Sequence, residues 1–245
     1  MDARPATPIV FLVLVILAAS PVHSRAQAPG APTTPASAEK SAGWVLLFDG
    51  TTTDAWRAYK KADMSGLRWK VENGCLALPS GEGSDTLGQH DLITKQQFDD
   101  FELTWDWRIA TGGNSGVKYF VTEKHDAAIG HEYQVIDGAH EDARLREGRR
   151  QTAAFYDVLA APDARARPAP SFNTGRVLVK GNHVEHWLNG TKVLEYELDT
   201  DALRAKIADS KFKDIADFDK HIRGHLLLQD HGDAVCFRNV KVRPL

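Results

Sequence analysis

Cysteine is nearly missing from this chain: 245 residues contain two, Cys75 and Cys236. That excludes a cysteine-based metal centre, which needs three or four thiolates or a close Cys/His set. It leaves two readings open, one disulfide in an exported protein or two buried free thiols. An excess of charge of either sign is missing too. Thirty Lys and Arg stand against 33 Asp and Glu, a net charge of -3, so composition makes no case for a nucleic-acid surface. There is no G-x-S-x-G elbow, no P-loop and no dinucleotide-binding glycine motif, and no nicotinamide or flavin cofactor is expected. His183 with His186, and His221 with His225, lack zinc spacing.

What is present begins with "PIVFLVLVILAAS" behind Arg4, an apolar run too short to span a bilayer comfortably. Ala26 and Ala28 form an A-x-A pattern beyond it, so residues 1–28 read as a secretory signal peptide and the mature protein as periplasmic or secreted, with no membrane span. Residues 29–42, rich in Pro, Ala, Ser and Thr, read as a flexible linker. Residues 43–245 form one domain; 42% hydrophobic and 26% charged residues are globular values.

Within that domain alternation of period two dominates. In "FELTWDWRIA" Phe101, Leu103, Trp105, Trp107 and Ile109 share one face, and Glu102, Thr104, Asp106 and Arg108 the other. "GVKYFVTE", "HEYQVID", "AAFYDVL", "RVLVKG" and "HVEHWL" continue the series, and Asn189-Gly190 joins the last to "KVLEYEL" as a type I′ hairpin. That hairpin accounts for the Asn189-Gly190-Thr191 sequon without a sugar. One stretch departs from the pattern: Thr200 caps a short helix carrying Leu203 and Ile207, and an irregular excursion follows. The expected fold is all-β, a two-sheet antiparallel sandwich with a short helical insertion.

Two strands present polar side chains on one face. Glu132, Gln134 and Ile136 lie opposite Tyr133 and Val135; His225, Leu227, Gln229 and His231 lie opposite Leu226 and Leu228. Carboxylate, carboxamide and imidazole together hydrogen-bond a sugar or hold a hard cation. The alternatives are an ordinary solvent-facing pair at Glu132 and Gln134, a backbone-driven turn at Gln229-Asp230-His231-Gly232-Asp233, and a surface ion pair at Lys118. One or two of the six tryptophans are expected at a cleft.

Several long motifs, in order, carry a resemblance: "LFDGTTTDAW", "WKVENGCLAL", "DLITKQQFDDFELTWDWRI", "GGNSGVKYFV", "EYQVID", "VKGNHVEHWLNGTKVLEYEL", "SKFKD" and "LLLQDHGDAVCFRNVKV". From Trp44 to Leu245 the chain resembles the 3-keto-disaccharide hydrolase domain family. The resemblance implies a concanavalin A-like jelly roll and cleavage of glycosides already oxidised to a ketone at C3. In that chemistry a base removes the C2 proton, the C1 substituent leaves by elimination, and water can add to the enone, assisted by a divalent metal ion. The substrate would come from a separate sugar 3-dehydrogenase.

Carried over by residue, Glu132 and Gln134 match the family's Glu-Tyr-Gln strand, and Gln229, Asp230 and His231 its Gln-Asp-His-Gly turn. The resemblance implies Glu132 and His231 as acid/base groups or metal ligands, with Gln134 and Gln229 orienting metal or substrate. Lys118 would stabilise the enolate, with Asn114, Asp106 and Tyr156 in support. The sequence departs from the family pattern at Phe120, where many members carry Arg. Two other classes stay open, a non-catalytic carbohydrate-binding module of the same fold and a conventional two-carboxylate β-glycosidase.

Overall fold

The computed structural model describes residues 37–81 and 90–245; the expected signal peptide lies outside them. Among the described residues thirteen strands follow one another: β1 (Val45–Phe48), β2 (Trp56–Ala58), β3 (Lys70–Glu72), β4 (Cys75–Leu78), β5 (Leu92–Thr94), β6 (Phe101–Ile109), β7 (Asn114–Val121), β8 (His131–Ile136), β9 (Asn173–Lys180), β10 (His183–Leu188), β11 (Thr191–Glu197), β12 (His225–Leu228) and β13 (Val235–Pro244). They build an antiparallel jelly-roll sandwich. One sheet runs β11-β10-β9-β6-β13-β4-β3 with β1 also on β13, and the other runs β2-β5-β12-β7-β8. No described helix is long and apolar enough to cross a membrane.

Alternation sets the layers. The odd-numbered residues of β6 are buried and face the smaller sheet, where Trp105 meets Tyr133 edge-on with centroids 4.9 Å apart. Tyr119 bonds across the interior to His186 (2.8 Å) and Tyr196 (2.6 Å), and His131 reaches Tyr196 and the Phe218 carbonyl. Burial pushes His131 down to about 3 and His186 to about 4, so both imidazoles are neutral hydrogen-bonding groups of the core. Because Val117 and Tyr119 of β7 and the odd residues of β8 point inward, Lys118, Glu132 and Gln134 must point outward; beyond the bulge at Phe120 the sides exchange.

The Asn189-Gly190 hairpin forms as expected, with φ of 51° and 85° at its two central residues. So does the helix α2 (Asp201–Ala208), where the Thr200 hydroxyl accepts from the Leu203 N–H and Leu203 and Ile207 are buried. Cys75 and Cys236 are disulfide-bonded across β4 and β13, which removes the free-thiol reading.

Two expectations change. The end of the supposed linker forms a five-residue helix, α1 (Ser37–Ser41), tied to β13 by a Glu39–Lys241 ion pair. "AAFYDVL" is not a regular strand, because Ala153 (φ 67°) and Asp157 (φ 64°) leave the extended region. The segment still runs beside β8, exchanging main-chain bonds with Gln134 and placing Tyr156 N–H on the Glu132 carbonyl.

Candidate active site

On the outer face of the smaller sheet, register lines up Arg57, Ile93, Leu227, Lys118 and Glu132 in one row across five strands. Ile93 and Leu227 make a small apolar floor with Tyr59, Val121 and Ala128. At its end the Lys118 ammonium lies 3.7 Å from Glu132 Oε2, with the two side chains only 13% and 5% exposed. An ion pair this sheltered is neither solvated surface nor freely screened. Lys118 Nζ also donates to the Ala128 carbonyl.

One step along the sheet, Gly116 pairs with Gln134, and Gln229 N–H continues the ladder by donating to the Gly116 carbonyl. Gly116 has no side chain because Glu132 lies over it. A Cβ there would sit 2.6 Å from Glu132 Oε1. With its carboxamide turned to satisfy its neighbours, Gln134 donates to Glu132 Oε1 and to the Ser115 carbonyl, both at 3.0 Å, and its oxygen lies 3.3 Å from the Asn114 amide, which donates to it once turned in the same way. Asn114 lies 3.5 Å from His231 Nε2. The result is a continuous polar line, His231–Asn114–Gln134–Glu132, drawn from three parts of the chain.

This line tests the expected metal. Glu132 gives one oxygen to Gln134 and keeps the other beside an ammonium. A cation cage needs converging, unspent oxygen or nitrogen lone pairs. The trio Glu132, Gln134 and His231 does not offer them. The described residues do contain a His/Glu group with ligand atoms within 4.8 Å of one another, His183, Glu185 and Glu195, but it lies on β10 and β11 of the other sheet. There Lys192 and Glu197 already pair with its members.

Beside Lys118 opens a cavity of about 280 Å³ lined by Asp91, Lys118, Lys211, Phe212, Gln229 and Asp230 among others. A larger one, about 630 Å³, lies near Trp107 and Ile136. Its Asp137, Gln151, Thr152 and Asn173 are bonded to backbone or neighbouring side chains, and Arg144, Arg165 and Arg167 also line it, but among the described residues it holds no carboxylate–ammonium pair like that of Lys118 and Glu132. The smaller cavity is the one that Lys118 and Gln229 of the candidate site line. No tryptophan lines it; Trp107 lines the larger one, and the rings near Lys118's cavity are Phe212 and Tyr156.

Of the residues singled out in sequence, Glu132, Lys118, Gln134, Gln229, Asn114 and His231 gather here, and Tyr156 borders them through its bond to the Glu132 carbonyl. Asp106 does not. The alternation that buries Trp105 and Trp107 turns it to the outer face of the opposite sheet, where it binds Thr174 and Asn239. Phe120, in place of the family's Arg, occupies the β7 bulge at φ 60° and packs on His131 and His221.

Residue patterns missed Asp91, Arg68 and Lys211. Asp91 is 1% exposed; Oδ1 accepts from Asp230 N–H at 2.8 Å and Oδ2 has no partner among the described residues. Burial pushes it up to about 6 against the opposing pull of Lys118. Asp230 is held by Arg68 at 2.8 Å and caps the turn through Gly232 N–H. Asp91 and Lys211 lie inside "DLITKQQFDD" and "SKFKD", so motif membership was the available signal.

The raised Asp91 pKa has a stability consequence. A carboxyl whose folded pKa exceeds its unfolded value contributes most below the unfolded pKa and loses that contribution as pH rises through the folded one. The window runs from about pH 4 to about 6, and full ionisation costs the fold up to ~3 kcal/mol. Asp91→Asn is therefore expected to melt above wild type at pH 7.5, with the gap closing below pH 4. Equal melting temperatures at pH 7.5 would refute the buried, destabilising carboxylate.

Residues 43–243 match the 3-keto-alpha-glucoside-1,2-lyase-like domain. A curated protein of Bacteroides thetaiotaomicron named 3-keto-disaccharide hydrolase is 34% identical over 231 residues, 83% of this chain and 79% of that one. A solved structure from Parabacteroides distasonis, assigned provisionally to the glycosyl hydrolases, superposes with a TM-score of 0.77 at 30% identity, covering 87% of this chain and 99% of the other. A second from the same organism gives 0.65 at 24% identity, covering 82% and 99%, and shows the shared fold. The chain belongs to the 3-keto-alpha-glucoside-1,2-lyase-like family.

Proposed function

We propose that this protein cleaves 3-keto-glycosides by elimination. The observation that carries the reading is the sheltered carboxylate and ammonium 3.7 Å apart on the cavity-bearing face. In a 3-keto sugar the acidic C2–H and the C3 carbonyl oxygen are on adjacent carbons, and such a pair suits both at once. Glu132 takes the C2 proton; the C–H electrons move to the C3 oxygen as an enolate beside Lys118. The enolate then collapses to the enone and expels the C1 substituent, which leaves with a proton. Addition of water across the new double bond completes a net hydrolysis. Gln134 fixes the Glu132 rotamer, and Asn114 and His231 hold Gln134. Gln229, at the cavity wall, orients the sugar.

The ketone has to be installed first by a separate sugar 3-dehydrogenase. We place the protein in the periplasm or outside the cell. The leader-like residues 1–28 support this, as does the Cys75–Cys236 disulfide, a bond that persists in oxidising compartments.

Purified protein is to be incubated with a 3-keto-glucoside and with its unoxidised parent, each with and without chelator. Release of aglycone from the keto substrate alone is expected. Cleavage of the unoxidised parent would instead favour a two-carboxylate glycosidase, and sugar binding without any cleavage a binding module. Loss of activity with chelator would show that a divalent cation is required and would overturn the reading in which Lys118 alone stabilises the enolate.

A further inference from the structure

Lys211 enters the same cavity as Lys118, but from the irregular segment after α2 rather than from the sheet. Its backbone is firmly anchored. The N–H donates to Asp157 Oδ2 at 2.8 Å, Ser210 Oγ bonds the Ile207 carbonyl and accepts from Phe212 N–H, and Phe212 stacks on Phe218 with centroids 4.4 Å apart. Asp157 is in turn fixed by Arg150 at 2.7 Å. The ammonium itself makes no ion pair or hydrogen bond among the described residues. It rests 4.1 Å from the Tyr156 ring centroid and 5.1 Å from that of Phe212. By surface area the residue is exposed, but its main chain is pinned and its ammonium lies over two ring faces at the mouth of the concavity, so the charge is held in place rather than free to wander.

We propose that Lys211 is a second cationic catalytic residue, which with Lys118 binds the C3 oxygen of the substrate as it becomes an enolate. This rests on the function proposed above. The charges support it. Before reaction the cavity wall holds two ammoniums, with the Glu132 carboxylate 3.7 Å from that of Lys118. Once Glu132 has taken the C2 proton it is neutral, and the negative charge has moved to the substrate oxygen. Both ammoniums then attract that oxygen, and their pull is stronger in the transition state than in the ground state. The local field already registers these neighbours. Desolvation lowers the Lys211 pKa from its ordinary value, Glu132 works against this, and Lys118 adds to it.

The test follows C2 hydrogen–deuterium exchange of a 3-keto-glucoside by NMR, together with kcat and KM for aglycone release. Lys211→Met is expected to lower both kcat and the exchange rate by roughly 10²-fold with little change in KM, and Lys211→Arg to restore at least a tenth of wild-type kcat. Lys211→Gln serves as second variant if Lys211→Met fails to fold, with the melting temperature as control. If wild type turns over and a folded, uncharged variant keeps kcat and exchange within threefold, the proposal is overturned and the functional reading stands. A rise in KM alone overturns it too. If wild type neither exchanges nor cleaves, both fall together.

Discussion

Glu132→Gln is expected to lower kcat for a 3-keto-glucoside by roughly 10²–10⁴-fold while KM shifts little, the range for removing a positioned general base. Glutamine keeps the shape of glutamate and still offers an oxygen to the Gln134 amide at 3.0 Å. It cannot accept the C2 proton, and it leaves the Lys118 ammonium without the carboxylate 3.7 Å away. That unpaired charge complicates stability, so the comparison includes Lys118→Met/Glu132→Gln, which removes both charges. The double variant is expected to melt nearer wild type than the single one and to stay inactive. Steady-state kinetics, C2 exchange and thermal melts read all of this. Glu132→Gln with kcat within threefold of wild type would remove Glu132 from the role of base.

Gly116→Ala tests the same carboxylate without touching its chemistry. An added Cβ would lie 2.6 Å from Glu132 Oε1, 2.9 Å from Cδ and 3.0 Å from Cγ, so the whole end of the side chain has to move. Gly116 is not among the residues with positive φ, and alanine suits its backbone conformation; the effect is purely steric. Displacing a reacting group by about 1 Å costs on the order of 10²-fold in rate. Overpacking a tight site costs stability of roughly 1–3 kcal/mol. The expected result is thus a folded, modestly destabilised protein with kcat down about 10²-fold. Measured against Glu132→Gln, it separates placement of the base from its presence. Activity within twofold of wild type would mean that the position of Glu132 does not matter to the reaction.

A pattern connects these residues. In the proposed reaction the smaller sheet would supply the base, its cation and the carboxamide that orients it, all on one face. Charges that burial disfavours, Asp91 above all, sit beside them, and their cost is met by the large aromatic interior and the disulfide across β4 and β13. Burial of the Asp91 carboxyl opposes folding once it ionises, which is why Asp91→Asn is expected to gain where a core substitution would lose.

The sequence by itself determined the layers. Alternation in "FELTWDWRIA" and "HEYQVID" fixes which side chains face the interior, because successive side chains of a strand point to opposite faces whatever the strand pairs with. Asn189-Gly190 determined its hairpin and Thr200 its helix, both local matters of backbone conformation and capping. Glu132 and Gln134 were legible as a polar pair for the same reason, and the ordered motifs singled out His231 and Lys118. What only the tertiary structure decided is adjacency. Strand pairing sets Leu227, Lys118 and Glu132 in one row, although they come from three strands, and no periodicity encodes which strands become neighbours. Asp106 alternates as Glu132 does, yet its sheet faces the other way. Lys211 lies in a segment without periodicity; only the packing of Phe212 and the Asp157 anchor bring it to the cavity. Local rules fix where a side chain points, and long-range packing fixes what it meets.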